Sequence, residues 1–188
     1  MLKRIEEFRT YVEITGFRNV KIGNPRAFLR MATRGRPANV EAQFFDAGKV
    51  ASWQHLYFAA LNALTAFNNR INISRTLGME TLLYAAGERQ ITKATEKMGI
   101  KSVTREVAVL AVGKDRKAVE SANSKILRSI GGEQDDMVLE LSGSKNDLIK
   151  RVFNIGETEL ETVMRKSDLE KALVDVVVER MALVSCER

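Results

Sequence analysis

His55 is the chain's only histidine, and it sets the limit on acid–base chemistry at neutral pH. A catalytic histidine needs a nucleophile or an orienting carboxylate beside it. Asp46 is the nearest preceding carboxylate, and it lies too far along the helix to serve without help from another segment. A zinc site needs further His or Cys ligands, and none stands near His55, so no metal is expected. His55 therefore reads as a structural or surface polar residue. A small enzyme using His55 with an unidentified carboxylate from elsewhere in the fold is the alternative. Glu157, Glu159 and Glu161 alternate and so spread around a helix, while Asp135-Asp136 sits beside a turn. Neither group has the facing geometry of paired acid–base carboxylates. Gly131-Gly132 reads as a helix stop, because no Walker-type run or G-x-G-x-x-G accompanies it. No cofactor is expected.

The basic residues are more suggestive. Arg70 and Arg75 flank the loop Ile71-Asn72-Ile73-Ser74, and Arg89, Lys93 and Lys97 follow at spacings of four. If the segment after Gly87 is helical, those three share one flank. An exposed Ile73 between amides and hydroxyls, with arginines for phosphates, suits an unstacked nucleotide. Aromatic residues are few here, so a solvated polar face is the competing reading.

Charge is unevenly distributed. Residues 1–36 hold nine Lys/Arg against three Asp/Glu, and residues 136–188 hold eight against eleven. The formal net charge is +6. A basic front favours polyanions, and an acidic rear favours a different partner. No helix-turn-helix, zinc finger or basic zipper is present, so DNA is not the expected polyanion. One cysteine, Cys186, rules out an internal disulfide framework and suits a reducing cytosol. The N-terminus lacks the apolar core of a secretory leader, and no apolar run reaches the roughly 20 residues of a membrane span. A soluble, cytoplasmic protein without a membrane partner is expected.

The elements that must position these residues are readable from periodicity. At 188 residues the chain fits one domain. Strands are predicted over Thr10–Phe17, Val40–Phe45 and Thr104–Val112, the last central, and Met137–Leu141 is a further candidate. Helices are predicted over Pro25–Thr33, Met79–Ala86, Gln90–Met98 with Gly99 as C-cap, and Asp115–Ile130. Another follows Asp46 as its N-cap, with Val50, Trp53, Tyr57, Ala60, Leu61, Leu64 and Phe67 on one face and Asn68-Asn69 at its end. Ser144 caps a short helix to Phe153, Glu157–Val163 forms another, and Asp168 caps the terminal helix. The mixture predicts an α+β fold, a small mostly antiparallel sheet packed with several helices. Leu148, Ile149, Val152 and Phe153, with Leu173 and Val177 of the terminal helix, are candidates for an apolar partner surface beside the core they help build.

An ordered series of segments then resembles one family. It comprises ITGF at 14–17, QFFDA at 43–47, His55-Leu56, Asn72-Ile73-Ser74, Met79-Glu80, YAAGERQI at 84–91, Gly99-Ile100, Phe153–Ile155 and VERMAL at 178–183. The series is similar to the TPRKB-like family, the small kinase-binding subunit of the KEOPS complex. It spans most of the chain and thins between Lys114 and Lys145. Ser52 stands where the family often has glycine. The resemblance implies a non-catalytic adaptor that binds the small atypical kinase/ATPase subunit. It also implies binding of the single-stranded 3′ CCA end of tRNA, in support of threonylcarbamoyladenosine modification. Carried onto this chain, the tRNA candidates are Arg70, Ile73, Ser74, Arg75, Glu80, Arg89, Lys93 and Lys97. The kinase candidates are Leu148, Ile149, Val152, Phe153, Leu173 and Val177.

Overall fold

The computed structural model describes residues 1–164 and 168–184. Cys186 lies outside the described residues. The centre is strand β4, Val107–Gly113, seven consecutive buried residues. An uninterrupted apolar strand has to be covered on both faces, and this one is. Val107 and Val109 point to a cluster with Phe17, Phe28, Phe44, Ile126 and Ile130. Ala108, Leu110 and Val112 point to a larger cluster on the opposite face. Each fully buried side chain of the Phe17 or Leu110 kind contributes about 1.5–3 kcal/mol of hydrophobic stabilisation.

β4 pairs antiparallel with β2 (Thr10–Arg18), with Ile14 opposite Leu110, and with β3 (Val40–Asp46), with Val40 opposite Gly113. Strand β1 (Leu2–Ile5) adds to the outer edge of β2, and the two-residue β5 (Glu133–Gln134) continues that edge opposite Phe17 and Arg18. The order is β1-β2-β4-β3, antiparallel throughout. β1 carries no sequence signal because Lys3 and Arg4 are exposed on an edge strand.

Helices α1 (Pro25–Ala32) and α5 (Arg116–Ile130) cover one face. The other face carries α2 (Trp53–Asn68), α3 (Leu77–Ala86), α4 (Ile91–Met98), α6 (Gly143–Phe153), α7 (Glu157–Val163) and α8 (Leu169–Leu183). The result is the expected α+β architecture, with helices on both faces of the sheet.

Four local expectations need correction. Asp46 does not cap α2: the chain turns through a 3-10 segment, Ala47–Lys49, then runs extended at Val50. Ser52 is the N-cap, its hydroxyl accepting from the His55 N–H at 3.2 Å. Ser52, the departure from the family pattern, thus has a local role. Asp46 meets Lys49 Nζ at 3.5 Å instead. Second, the deepest face of α2 is His55, Leu56, Ala59, Ala60, Ala63 and Ala66 rather than the large-residue stripe. Small side chains let α3 pack closely, while Trp53, Tyr57, Leu61 and Leu64 flank the contact. Third, Met137–Leu141 is not a strand. Asp136–Leu139 is a 3-10 turn, started by the Asp135 side chain accepting from the Met137 N–H at 3.0 Å. Fourth, α6 begins at Gly143, with extended Ser142 at its N-cap position, so Ser144 is already helical. The Asp168 cap is as expected, accepting from the Lys171 N–H at 3.0 Å. Gly99 ends α4 in an extended conformation, whereas Gly87 and Gly131 end their helices at φ of 63° and 69°, where glycine is unstrained.

Candidate functional site

The segment between α2 and α3 is short, polar and held from below. Asn69 ends α2, and Arg70 takes a left-handed conformation (φ 58°), one of the few non-glycine residues to do so. The Ile71 N–H then donates to the Ala66 carbonyl at 2.9 Å. Asn72 Nδ2 donates to the Ser74 carbonyl at 2.9 Å, and Ser74 Oγ to the Thr76 carbonyl at 2.8 Å. Thr76 caps α3 by accepting from the Met79 N–H at 3.3 Å.

Glu80, completely buried in the first turn of α3, completes the arrangement. Its carboxylate accepts from the Ile73 N–H at 3.1 and 3.0 Å and from the Ser74 N–H at 2.7 Å. A buried charge is tolerable only with such partners, and the helix N-terminus favours it further. Glu41 from β3 adds a second carboxylate there, accepting from the Gly78 N–H at 2.8 Å. The consequence is a rigid loop that presents apolar Ile71 and Ile73, 43% and 38% exposed, between solvent-facing Arg70 and Arg75. Ser74, by contrast, is buried. The loop offers apolar surface for a base and cations for phosphate. Glu80 and Ser74 shape it from inside and present no surface of their own.

The basic residues at and before α4 divide differently from the expected common flank, because the helix starts at Ile91 and Arg89 precedes it. Lys93 is exposed. Arg89 turns toward α8, its Nη1 donating to the Val184 carbonyl at 2.7 Å. Lys97 is held between Glu88 at 3.4 Å and the Phe153 ring, 4.7 Å from the centroid. Burial lowers the Lys97 pKa, with the Glu88 carboxylate opposing the shift. Arg89 and Lys97 therefore brace α4 against α6 and α8.

His55 is completely buried, and both ring nitrogens are occupied by backbone. Nδ1 accepts from the Ala51 N–H at 3.1 Å, which leaves the proton on Nε2 to donate to the Ala85 carbonyl at 2.8 Å. Its ring packs edge-on to Phe153, centroids 5.5 Å apart. Burial, with smaller contributions from Lys145 and Lys97, pushes its pKa down to about 4 against the opposing pull of the Ala85 carbonyl. A neutral histidine with no free nitrogen cannot exchange protons with a substrate, so this residue does not support the enzyme alternative. It ties α2 to the end of α3. Lys145 is another buried titratable group: Nζ donates to the Val138 and Glu140 carbonyls at 2.7 and 3.1 Å. Burial lowers its pKa to about 8.

The expected partner surface is mostly core. Ile149, Phe153, Leu173 and Val177 are buried in the large cluster, while Leu148 and Val152 are half-buried. The reason is that α6 and α8 pack on each other and on the sheet side of α2, so their apolar stripes face inward. What remains outside is a groove of about 490 Å³ between α2 and α8. Phe58, Leu141, Val174 and Val178 line it, and Asp168, Glu170 and Asp175 give it an acidic rim. Phe58, 38% exposed, is the residue that sequence reasoning missed. A large aromatic one position off the α2 stripe was the available signal.

The model for the kinase binding protein CGI-121 family matches residues 17–185. The chain is also 31% identical over 142 residues to the regulatory protein Cgi121 of Methanocaldococcus jannaschii, covering 76% of this chain and 83% of that protein. The matched region includes the Ile73 loop, His55, the α2–α8 groove and all of β4.

Proposed function

Because the chain belongs to the kinase binding protein CGI-121 family, we propose that it is a non-catalytic, cytoplasmic adaptor of a KEOPS-type complex. It joins the small atypical kinase/ATPase subunit to tRNA and so supports threonylcarbamoyladenosine modification. The observation that carries the RNA part is the Ile73–Arg75 loop, fixed from beneath by buried Glu80 and displaying an isoleucine between two arginines. Such a loop receives the unstacked 3′ end of tRNA, with the base on Ile73 and phosphates on Arg70, Arg75 and Lys93. Ser74 and Glu80 act by holding this surface in place, while Arg89 and Lys97 act behind it, through Val184 and Phe153.

The kinase subunit lands on the α2–α8 groove, where Phe58, Val174 and Val178 are accessible. Buried aromatic anchors at the centre of an interface carry most of its affinity. Leu148 and Val152 belong to the neighbouring surface. An adaptor of this kind speeds a reaction it does not perform, because orienting bound reactants is worth several kcal/mol.

Gel-shift titration of tRNA with and without its CCA end tests the RNA reading. The intact RNA should bind more tightly, with a log–log salt slope of roughly −2 for three phosphate contacts at about −0.7 each. Equal binding of both RNAs removes the end-specific claim. Incorporation of labelled threonine into tRNA, with subunits omitted one at a time, tests the adaptor claim: turnover by this chain alone contradicts it.

A further inference from the structure

A second groove, of about 480 Å³, lies on the far side of α4, between α1 and α3. Its apolar lining is half-buried Leu29, Ala42 and Met79 over the buried Phe44, Leu82 and Ile100, and Arg26 and Arg30 line its α1 wall. The two arginines are one turn apart on α1 and both are exposed. Among the described residues, no Asp or Glu lines the groove.

The charge of the segment that contains α1 is one-signed. Residues 19–36 contain five cations, Lys21, Arg26, Arg30, Arg34 and Arg36, and no acidic residue. Among the described residues, no salt bridge involves any of them. Arg36 goes further: its Nε and Nη1 are buried without a hydrogen-bond partner. Arg18 and Arg180, by contrast, are paired, with Glu133 at 2.9 Å and Glu159 at 2.8 Å. Unpaired like charges beside an apolar slot match an anion that carries a flat apolar body.

We propose that this groove is a second nucleotide site, in which a base of single-stranded RNA lies on Leu29, Ala42 and Met79 while its flanking phosphates meet Arg26 and Arg30. The site rests on the reading that the chain binds RNA at the Ile73 loop, and it extends that path. The two are joined through Met79, which lines the groove and whose N–H is capped by Thr76, next to Arg75. A strand whose end sits on the loop can continue along α3 to α1. Guanidinium groups bind phosphate oxygens in forked pairs, and apolar slots accept any base, so the site has no sequence preference. The path to the loop favours RNA over an acidic polypeptide, whose carboxylates would need only the cations and not the slot.

The experiment titrates a fluorescent single-stranded RNA ending in CCA across a salt series. It compares the wild type, the double variant Arg26→Gln/Arg30→Gln and the loop variant Arg70→Gln/Arg75→Gln. Both α1 positions are exposed, and circular dichroism checks that the variant is folded. The groove adds two phosphate contacts to the loop's three, so with both sites filled the wild-type log–log slope is about −3.5; losing the two should weaken binding about tenfold and bring the slope back to about −2. In the wild type, RNA should shift the NMR methyl resonances of Leu29, Leu82 and Ile100. Unchanged affinity, slope and methyls, with binding lost only in the loop variant, overturns the groove and leaves the loop reading intact. No binding by the wild type at all overturns the loop reading as well. Methyl shifts with a polyglutamate peptide but not with RNA assign the groove to an acidic polypeptide and overturn the proposal.

Discussion

The Ser74 N–H donates to Glu80 Oε2 at 2.7 Å, with Ile73 donating to the same carboxylate. A residue with no exposed surface thereby fixes the shape of a loop that displays two isoleucines. Glu80→Gln replaces one acceptor oxygen by an amide that donates, facing two N–H groups. Hydrogen bonds to a buried charge are worth about 1.5–3 kcal/mol each, so a loss of about 2 kcal/mol is expected in urea unfolding. The RNA gel shift should weaken too, although Glu80 touches no solvent. Full RNA affinity in the folded variant would show that the loop's rigidity is irrelevant to binding.

His55 makes stability depend on pH. Its pKa falls to about 4 in the folded state from 6.5 in the unfolded chain, so the unfolded state binds more protons in between. The neutral ring's contribution is present above pH 6.5 and is lost as pH falls from there through about 4. Between pH 7 and pH 5 the loss is about 2 kcal/mol. Urea titrations at the two pH values measure it. His55→Gln removes this titration, so its own difference between the two pH values should be smaller by that amount.

Gly16 is a close-approach position. A Cβ there would come within 2.5 Å of the Asp135 carbonyl and 2.6 Å of Val138 Cγ2. Its N–H donates to Asp136 Oδ1 and its carbonyl accepts from the Asp135 N–H, both at 2.9 Å. Gly16→Ala should push the 135–139 turn off β2 and cost about 1–3 kcal/mol, as overpacking does. Thermal unfolding checks this, and an unchanged melting temperature would mean that the turn moves freely.

The partner surface separates by burial. Phe58→Glu and Val178→Glu, on the groove, should abolish pull-down of the kinase subunit with little change in melting. Ile149→Glu, fully buried, should unfold the protein, because an unpaired charge in an apolar core costs several kcal/mol. A folded Phe58→Glu protein that still captures the kinase would move the interface elsewhere.

Periodicity and capping chemistry are local, and they determined much of this protein. The apolar run within 104–112 reads as a central strand, and Asp115 and Gly131 bracket α5 by side-chain and backbone chemistry alone. The family resemblance also lies in the sequence, because it depends on the order of segments and not on their contacts. Met137–Leu141 misled because its apolar residues serve a turn clamped to Gly16, and that clamp joins residues 120 positions apart.

The site itself was decided by tertiary structure. Glu80 and Arg89 look like surface polar residues in sequence, yet one is buried under a loop and the other is bound to Val184, 95 residues away. Ile149, Phe153, Leu173 and Val177 have the composition of a docking patch and the position of a core. An apolar helix stripe is the same pattern whether it meets the chain's own sheet or a partner. Only the packing of α6 and α8 against the rest of the fold determines which surface is already covered and which, as at Phe58, remains open.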